Sequence, residues 1–98
     1  MNTLLRSEAF AEWLANLRDN KGKARILSRL DAAALGNFGD CAPVAAGVCE
    51  MRVHFGPGYR VYYMRREKRV YLLLAGGDKG TQKRDINAAL KMARELEE

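Results

Sequence analysis

Cysteine is scarce in this chain of 98 residues: Cys41 and Cys49 are its only two. They are too few for a disulfide framework and do not form a CxxC pair, so both read as small, buried or half-buried side chains. With a single histidine, His54, to join them, neither a metal site nor a cofactor is expected. Long apolar runs are missing as well. The longest, Val70 to Ala75, falls far short of a membrane span. Arg6, Glu8 and Glu12 interrupt the N-terminus before a signal segment could form, so a cytoplasmic protein without a membrane partner is expected. Internal repeats and low-complexity stretches are absent too. Acidic residues are in the minority, 12 against 17 basic, which leaves a net charge of +5. A small basic domain points to a polyanionic partner, nucleic acid being the commonest. The length allows one domain, residues 1–98, and excludes a nucleotide domain plus a substrate domain.

What is present is well patterned. Residues 1–6 (MNTLLR) suit a short edge strand. Ser7 is a natural N-cap for a helix from Glu8 to Asn16 or Arg18, in which Phe10, Trp13, Leu14 and Leu17 fall on one stripe. Asp19-Asn20-Lys21-Gly22 has turn chemistry, and a second helix then runs to about Leu35 with Ile26, Leu27, Leu30 and Ala34 inward. Lys23, Arg25 and Arg29 are left for solvent, and Gly36 follows as a left-handed C′ residue. Residues 37–47 read as a connecting loop with a short extended piece at most, because Pro43 argues against a central strand.

From Val48 to Phe55 the side chains alternate: Cys49, Met51, Val53 and Phe55 point one way, Glu50, Arg52 and His54 the other. Gly56-Pro57-Gly58 turns the chain, and Tyr59 to Arg65 return with Arg60, Tyr62 and Met64 on one face. Arg69 to Ala75 is apolar enough for an interior strand. Ile86, Ala89, Leu90, Ala93 and Leu96 make the stripe of a C-terminal helix. This order predicts an α+β domain: two N-terminal helices packed on a small antiparallel sheet, then a C-terminal helix. Glu50, Arg52, His54, Arg60 and Tyr62 are expected on a sheet face left partly open.

The stretch "LLLAGGDKGTQKRDI", residues 72–86, imitates a nucleotide-binding loop: apolar run, glycines, lysine, helix. A Walker loop needs GxxxxGK[ST], in which the lysine follows the last glycine. Here Lys79 precedes Gly80 and the spacing from Gly76 is wrong, so an NTPase is excluded. Gly76 and Gly77 are expected to turn the chain out of the sheet, leaving Lys79 beside the open face. Arg52 and Arg60 on adjacent strands with Lys79 at the end of a third would form a cationic surface. Arginine forks match phosphate geometry and can stabilise a phosphorane as charge builds on its oxygens. A nearby tyrosine, histidine or glutamate could move the proton of an attacking 2′-hydroxyl or of the leaving oxygen. Metal-free RNA cleavage and simple phosphate binding both suit this pattern. Tyr62 and His54 are the proton-transfer candidates, and Glu50 is better placed to orient Arg52.

"GVCEMRVHFGPGYRVYYM" (47–64) and "LLLAGGDKGTQKRDINAA" (72–89) resemble the RelE/ParE superfamily of toxin–antitoxin toxins. The likeness is greatest to its HigB-like branch, the addiction module killer proteins. "FAEWLANLRD" (10–19) and "RILSRLDAAALGNFGD" (25–40) resemble the same branch, so the likeness covers nearly the whole chain. It implies a RelE-like fold and a ribosome-dependent mRNA endoribonuclease, or mRNA interferase, that works by 2′-hydroxyl attack in the ribosomal A site. By position it implies that Arg60 holds the scissile phosphate and Arg52 the developing charge. Lys79 would hold the leaving oxygen or position the substrate. The implied partners are the ribosome, mRNA and a cognate helix-turn-helix antitoxin, for which the last helix is a candidate contact. Lys21, Lys23, Arg25 and Arg29 would suit RNA binding, in particular 16S RNA. ParE-like members share the fold but inhibit DNA gyrase without nuclease activity, and a non-toxic basic binding domain is the third possibility.

Overall fold

The computed structural model describes residues 1–97. Its elements run β1 (Thr3–Arg6), α1 (Glu8–Asn16), α2 (Asn20–Ala34), β2 (Cys41–Ala45), β3 (Val48–Val53), β4 (Tyr59–Glu67), β5 (Val70–Asp78), a 3₁₀ turn (Lys79–Thr81) and α3 (Gln82–Glu97). This is an α+β fold. The five strands form one sheet in the order β1-β5-β4-β3-β2. The pairs β2–β3, β3–β4 and β4–β5 are antiparallel, while β1 lies parallel to β5 at one edge. The small antiparallel sheet expected from sequence is therefore mixed at that edge. No helix among the described residues is long and apolar enough to cross a membrane.

The helix limits follow from their caps. The Ser7 hydroxyl accepts from the Phe10 N–H at 3.0 Å and donates to the Leu74 carbonyl at 2.7 Å, so one residue starts α1 and ties it to β5. Asp19 is the N-cap of α2, accepting from the Gly22 N–H at 3.0 Å, and α2 is followed by Gly36 at φ 99°. The stripe of α1 and that of α2 bury Phe10, Leu14, Ile26, Leu30 and Ala33 against Met51, Val53, Val61, Tyr63 and Leu73. Half-buried Trp13 and Leu17 flank this first core layer.

Three sequence expectations are corrected. First, the opposite sheet face is not left open along its length. The stripe of α3 packs Ala89 and Ala93, with Ile86 and Leu90, over Val48, Tyr62, Met64 and Leu74. An amphipathic stripe needs an apolar wall, and Val48, Met64 and Leu74 supply one. Second, residues 41–45 form a true strand. Pro43 is tolerated because β2 is the edge strand and pairs on one side alone, with a bulge between Pro43 and Ala45. Third, Gly76 and Gly77 do not turn the chain out of the sheet but lie within β5. Their role is space: a Cβ on Gly76 would stand 2.2 Å from the Trp13 ring, and one on Gly77 1.8 Å from Asp85 Oδ2. The glycine pair lets α1 and α3 approach the same strand from opposite faces.

Candidate functional site

The end of the sheet where β3 and β5 finish and β4 begins gathers the charged residues. Arg52 lies directly across from Arg60, and Arg60 across from Gly77. Beneath them Glu50 is the organising group. Its Oε1 lies 2.9 Å from Arg60 Nε and 3.3 Å from Arg52 Nε, and Gln82 on α3 donates to both of its oxygens at 3.2 and 3.1 Å. The Arg60 contact is one of charge, since the Nε–H does not point at the oxygen. The Glu50 and Arg60 side chains are 6% and 10% exposed, whereas Arg52 reaches solvent. Arg60 also donates to the Gly58 and Tyr59 carbonyls, each at 3.3 Å.

Asp40, at the entrance to β2, is the second counter-ion. It lies 3.5 Å from Arg52 and hydrogen-bonds His54 Nε2. The bond from His54, with the charges of Arg52 and Arg29, holds the Asp40 carboxyl below its ordinary value. Asp40 stays where it is because Arg29 grips the segment before β2, donating to the carbonyls of Phe38 (2.9 Å), Asp40 (3.3 Å) and Arg52. Phe38 adds a stacked contact on Tyr63, ring centroids 5.1 Å apart.

Lys79 opens the 3₁₀ turn, which Asp78 caps by accepting from the Gly80 and Thr81 N–H groups at 2.8 and 3.2 Å. The lysine is exposed. An open depression of about 380 Å³ is lined by His54, Arg60, Lys79 and the turn Gly56–Gly58. Three of the five sequence-predicted catalytic residues thus face one hollow, and Arg52 joins it through Glu50 and Asp40. Tyr62 does not. Its side chain is fully buried beneath α3 and its hydroxyl has no partner among the described residues. Burial and the nearby Glu50 and Asp85 carboxylates push the phenol up to about 12. It belongs to a buried layer, not to an open face.

A match to phage-derived Gp49-like proteins (DUF891) extends over residues 12–96, which include every residue of this site. The chain belongs to the Gp49-like family. That family is associated with addiction-module toxins. A Haemophilus influenzae Rd protein described as uncharacterized is 42% identical over 87 residues, covering 89% of this chain and 88% of that protein.

The four basic residues assigned to RNA do not make one free face on this Gp49-like chain. Lys21 is exposed and Lys23 half-buried. Arg29 is committed to three carbonyls, and Arg25 lies over the Phe55 ring, 5.0 Å from its centroid. Sequence reasoning passed over Asp40, Gln82 and Asp85. Asp40 is fourteen positions from His54, and no local pattern pairs them. Asp85 is buried under Gly77, where the Thr81 hydroxyl donates to it. The glycine was the available signal, since a glycine inside a strand marks a close approach.

Proposed function

We propose that this Gp49-like protein is the toxin of a type II toxin–antitoxin module with a RelE-like fold close to the HigB branch. On this reading it is a ribosome-dependent mRNA endoribonuclease, neutralised by a cognate helix-turn-helix antitoxin. The observation that carries the proposal is the shared hollow of His54, Arg60 and Lys79 at the strand ends. A phosphodiester placed there would meet a guanidinium, an ammonium and an imidazole together. In-line attack of the ribose 2′-oxygen on phosphorus would form a 2′,3′-cyclic phosphate and release the 5′-oxygen. Arg60 would bind the scissile phosphate and Arg52 the charge that builds on it. His54, oriented by Asp40, would accept the 2′-hydroxyl proton, because a carboxylate on Nε2 leaves Nδ1 as the basic nitrogen. Lys79 would protonate or stabilise the departing oxygen. Glu50 serves to aim the two arginines, and Tyr62, buried, is left out of the chemistry.

One observation favours the second reading, a gyrase inhibitor without nuclease activity. Arg52 and Arg60 are already neutralised by Glu50 and Asp40, so the cluster does not require a phosphate to stand together.

Primer extension on cellular mRNA after brief induced expression separates these. Wild type should give discrete cuts within translated messages, lost in Lys79→Ala and His54→Ala, whose side chains are exposed and free of core packing. Arrested growth with intact messages and a DNA-damage response would establish the gyrase reading. Absence of growth arrest would leave a basic binding domain.

A further inference from the structure

We propose that the hollow of His54, Arg60 and Lys79 is one half of a longer groove, whose other half seats an RNA base. Arg25 and Phe55 would hold the base of the nucleotide beside the scissile phosphate, a role that rests on the ribonuclease reading above. A second depression, of about 310 Å³, lies between α2 and the end of β3 and is lined by Arg25, Ser28, Arg29 and Val53. His54 and Phe55 line both depressions, so the two adjoin at these residues.

The chemistry of this second half differs from the first. Its wall is a phenyl ring with the Arg25 guanidinium laid over it, 5.0 Å from the centroid. A guanidinium held by an aromatic face in this way presents a flat cationic surface. Arg25 forms no ion pair and donates no side-chain hydrogen bond among the described residues. Its neighbour Arg29, on the same wall, spends its donors on three carbonyls. The groove therefore offers one planar cation without a counter-ion among the described residues and one half-buried ring, a few residues from the groups that would meet a phosphate. Unpaired RNA bases are bound in this manner, by stacking on aromatic rings or arginine planes. A phosphate alone would leave Phe55 unused, and an acidic peptide would meet Arg25 but gain nothing from the ring.

The test uses the full chain and a short single-stranded oligoribonucleotide carrying 2-aminopurine, whose fluorescence reports stacking. Wild type should quench the probe on binding. Phe55→Leu and Arg25→Lys should each weaken binding about tenfold and reduce the quench, the scale of one base stacked on a flat side chain. Phe55→Tyr should behave as wild type. Arg25→Lys keeps the charge at an exposed position, so an unchanged melting curve there separates stacking from folding. Lys79→Ala should weaken binding and abolish cutting, yet reach the wild-type quench at saturating protein, because the base site is intact. If Arg25→Lys and Phe55→Leu bind and quench as wild type does, or if wild type binds without quenching, the base site is overturned. Cellular cut positions separate the two proposals. Quenching without message cleavage would remove the ribonuclease and leave the groove. Cleavage whose positions and quench ignore both variants would remove the groove alone.

Discussion

Glu50 Oε1 lies 2.9 Å from Arg60 Nε in a layer closed off by α3. The same carboxylate also meets Arg52 and takes two hydrogen bonds from Gln82, so it joins β3, β4 and α3. Removing one partner of a buried ion pair strands the other charge away from water. Glu50→Ala should cost about 3–5 kcal/mol in urea unfolding, the range for breaking a buried pair. Glu50→Gln, which keeps the shape and an acceptor for Gln82 but strands the Arg60 charge in the same way, should recover only the packing and hydrogen-bond part of that loss. A Glu50→Ala loss no larger than the ~1 kcal/mol of a surface pair would show that Arg60 is satisfied by its two carbonyls.

Arg29 was read from sequence as a solvent-facing cation, yet it behaves as a clasp. One guanidinium satisfies the carbonyls of Phe38, Asp40 and Arg52, which joins α2 to both strands beside the site. Arg29→Ala should destabilise by about 2–3 kcal/mol, the scale of hydrogen bonds from a charged donor. Arg29→Lys should recover part of this at most, since a point charge cannot serve three acceptors in a fork. Limited proteolysis supplies a second readout: cleavage should appear within residues 37–40 once Asp40 is released. A variant resistant there would show that the Phe38–Tyr63 stack holds the segment by itself.

The Tyr59 hydroxyl donates to Asp19 Oδ2 at 2.7 Å, fixing the start of β4 to the cap of α2. Hydrogen bonds from Gly22 and Tyr59 lower the Asp19 carboxyl from 3.8, and burial with the Asp19 contact pushes Tyr59 from 10.0 up to about 12. A depressed carboxyl contributes stability above its unfolded value and loses it as the pH falls through the folded one. A raised phenol contributes below pH 10 and loses it as the pH rises towards 12. Stability should therefore fall below about pH 4 and again above about pH 10. Asp19→Asn should flatten the acid side, and Tyr59→Phe should reduce both. Urea midpoints across pH would check this. An acid limb unchanged in Asp19→Asn would assign it to other carboxylates, Asp40 first.

Much of this architecture was legible locally. Ser7, Gly36, the stripe of α1 and the alternation from Val48 to Phe55 each follow from a few neighbouring residues, and Glu50 and Arg52 share a face by strand period alone. What was missed depends on partners far along the chain. The edge position that makes Pro43 acceptable in β2 is a property of the sheet. Tyr62 shares the face of Arg60, and nothing local says that Tyr62 is buried completely while part of Arg60 still lines the hollow. Asp40 meets His54 only because Arg29, on a helix that precedes both, places its carbonyl. The polar surface inferred from alternation was right in its members and wrong in its depth: Arg52 and His54 reach water, while Glu50 and most of Arg60 do not.

Gly77 and Asp85 provide the sharpest test of how α3 is seated. A Cβ on Gly77 would stand 1.8 Å from Asp85 Oδ2 and 2.9 Å from the Thr81 hydroxyl. Neither neighbour can swing away freely, since Asp85 is buried and accepts from Thr81, which also closes the capping box with Asp78. Gly77→Ala should thus lose about 1–3 kcal/mol, the cost of overpacking, with α3 pushed off its place. Asp85→Ala removes the obstacle but also the acceptor for Thr81. The double variant should be more stable than the sum of the single losses predicts, by about 0.5–3 kcal/mol of coupling. Because Gln82 flanks this point, the Glu50–Gln82 contact should weaken in Gly77→Ala and return in part in the double variant. Strict additivity would mean that the glycine is needed by the backbone of β5 and not by the helix above it.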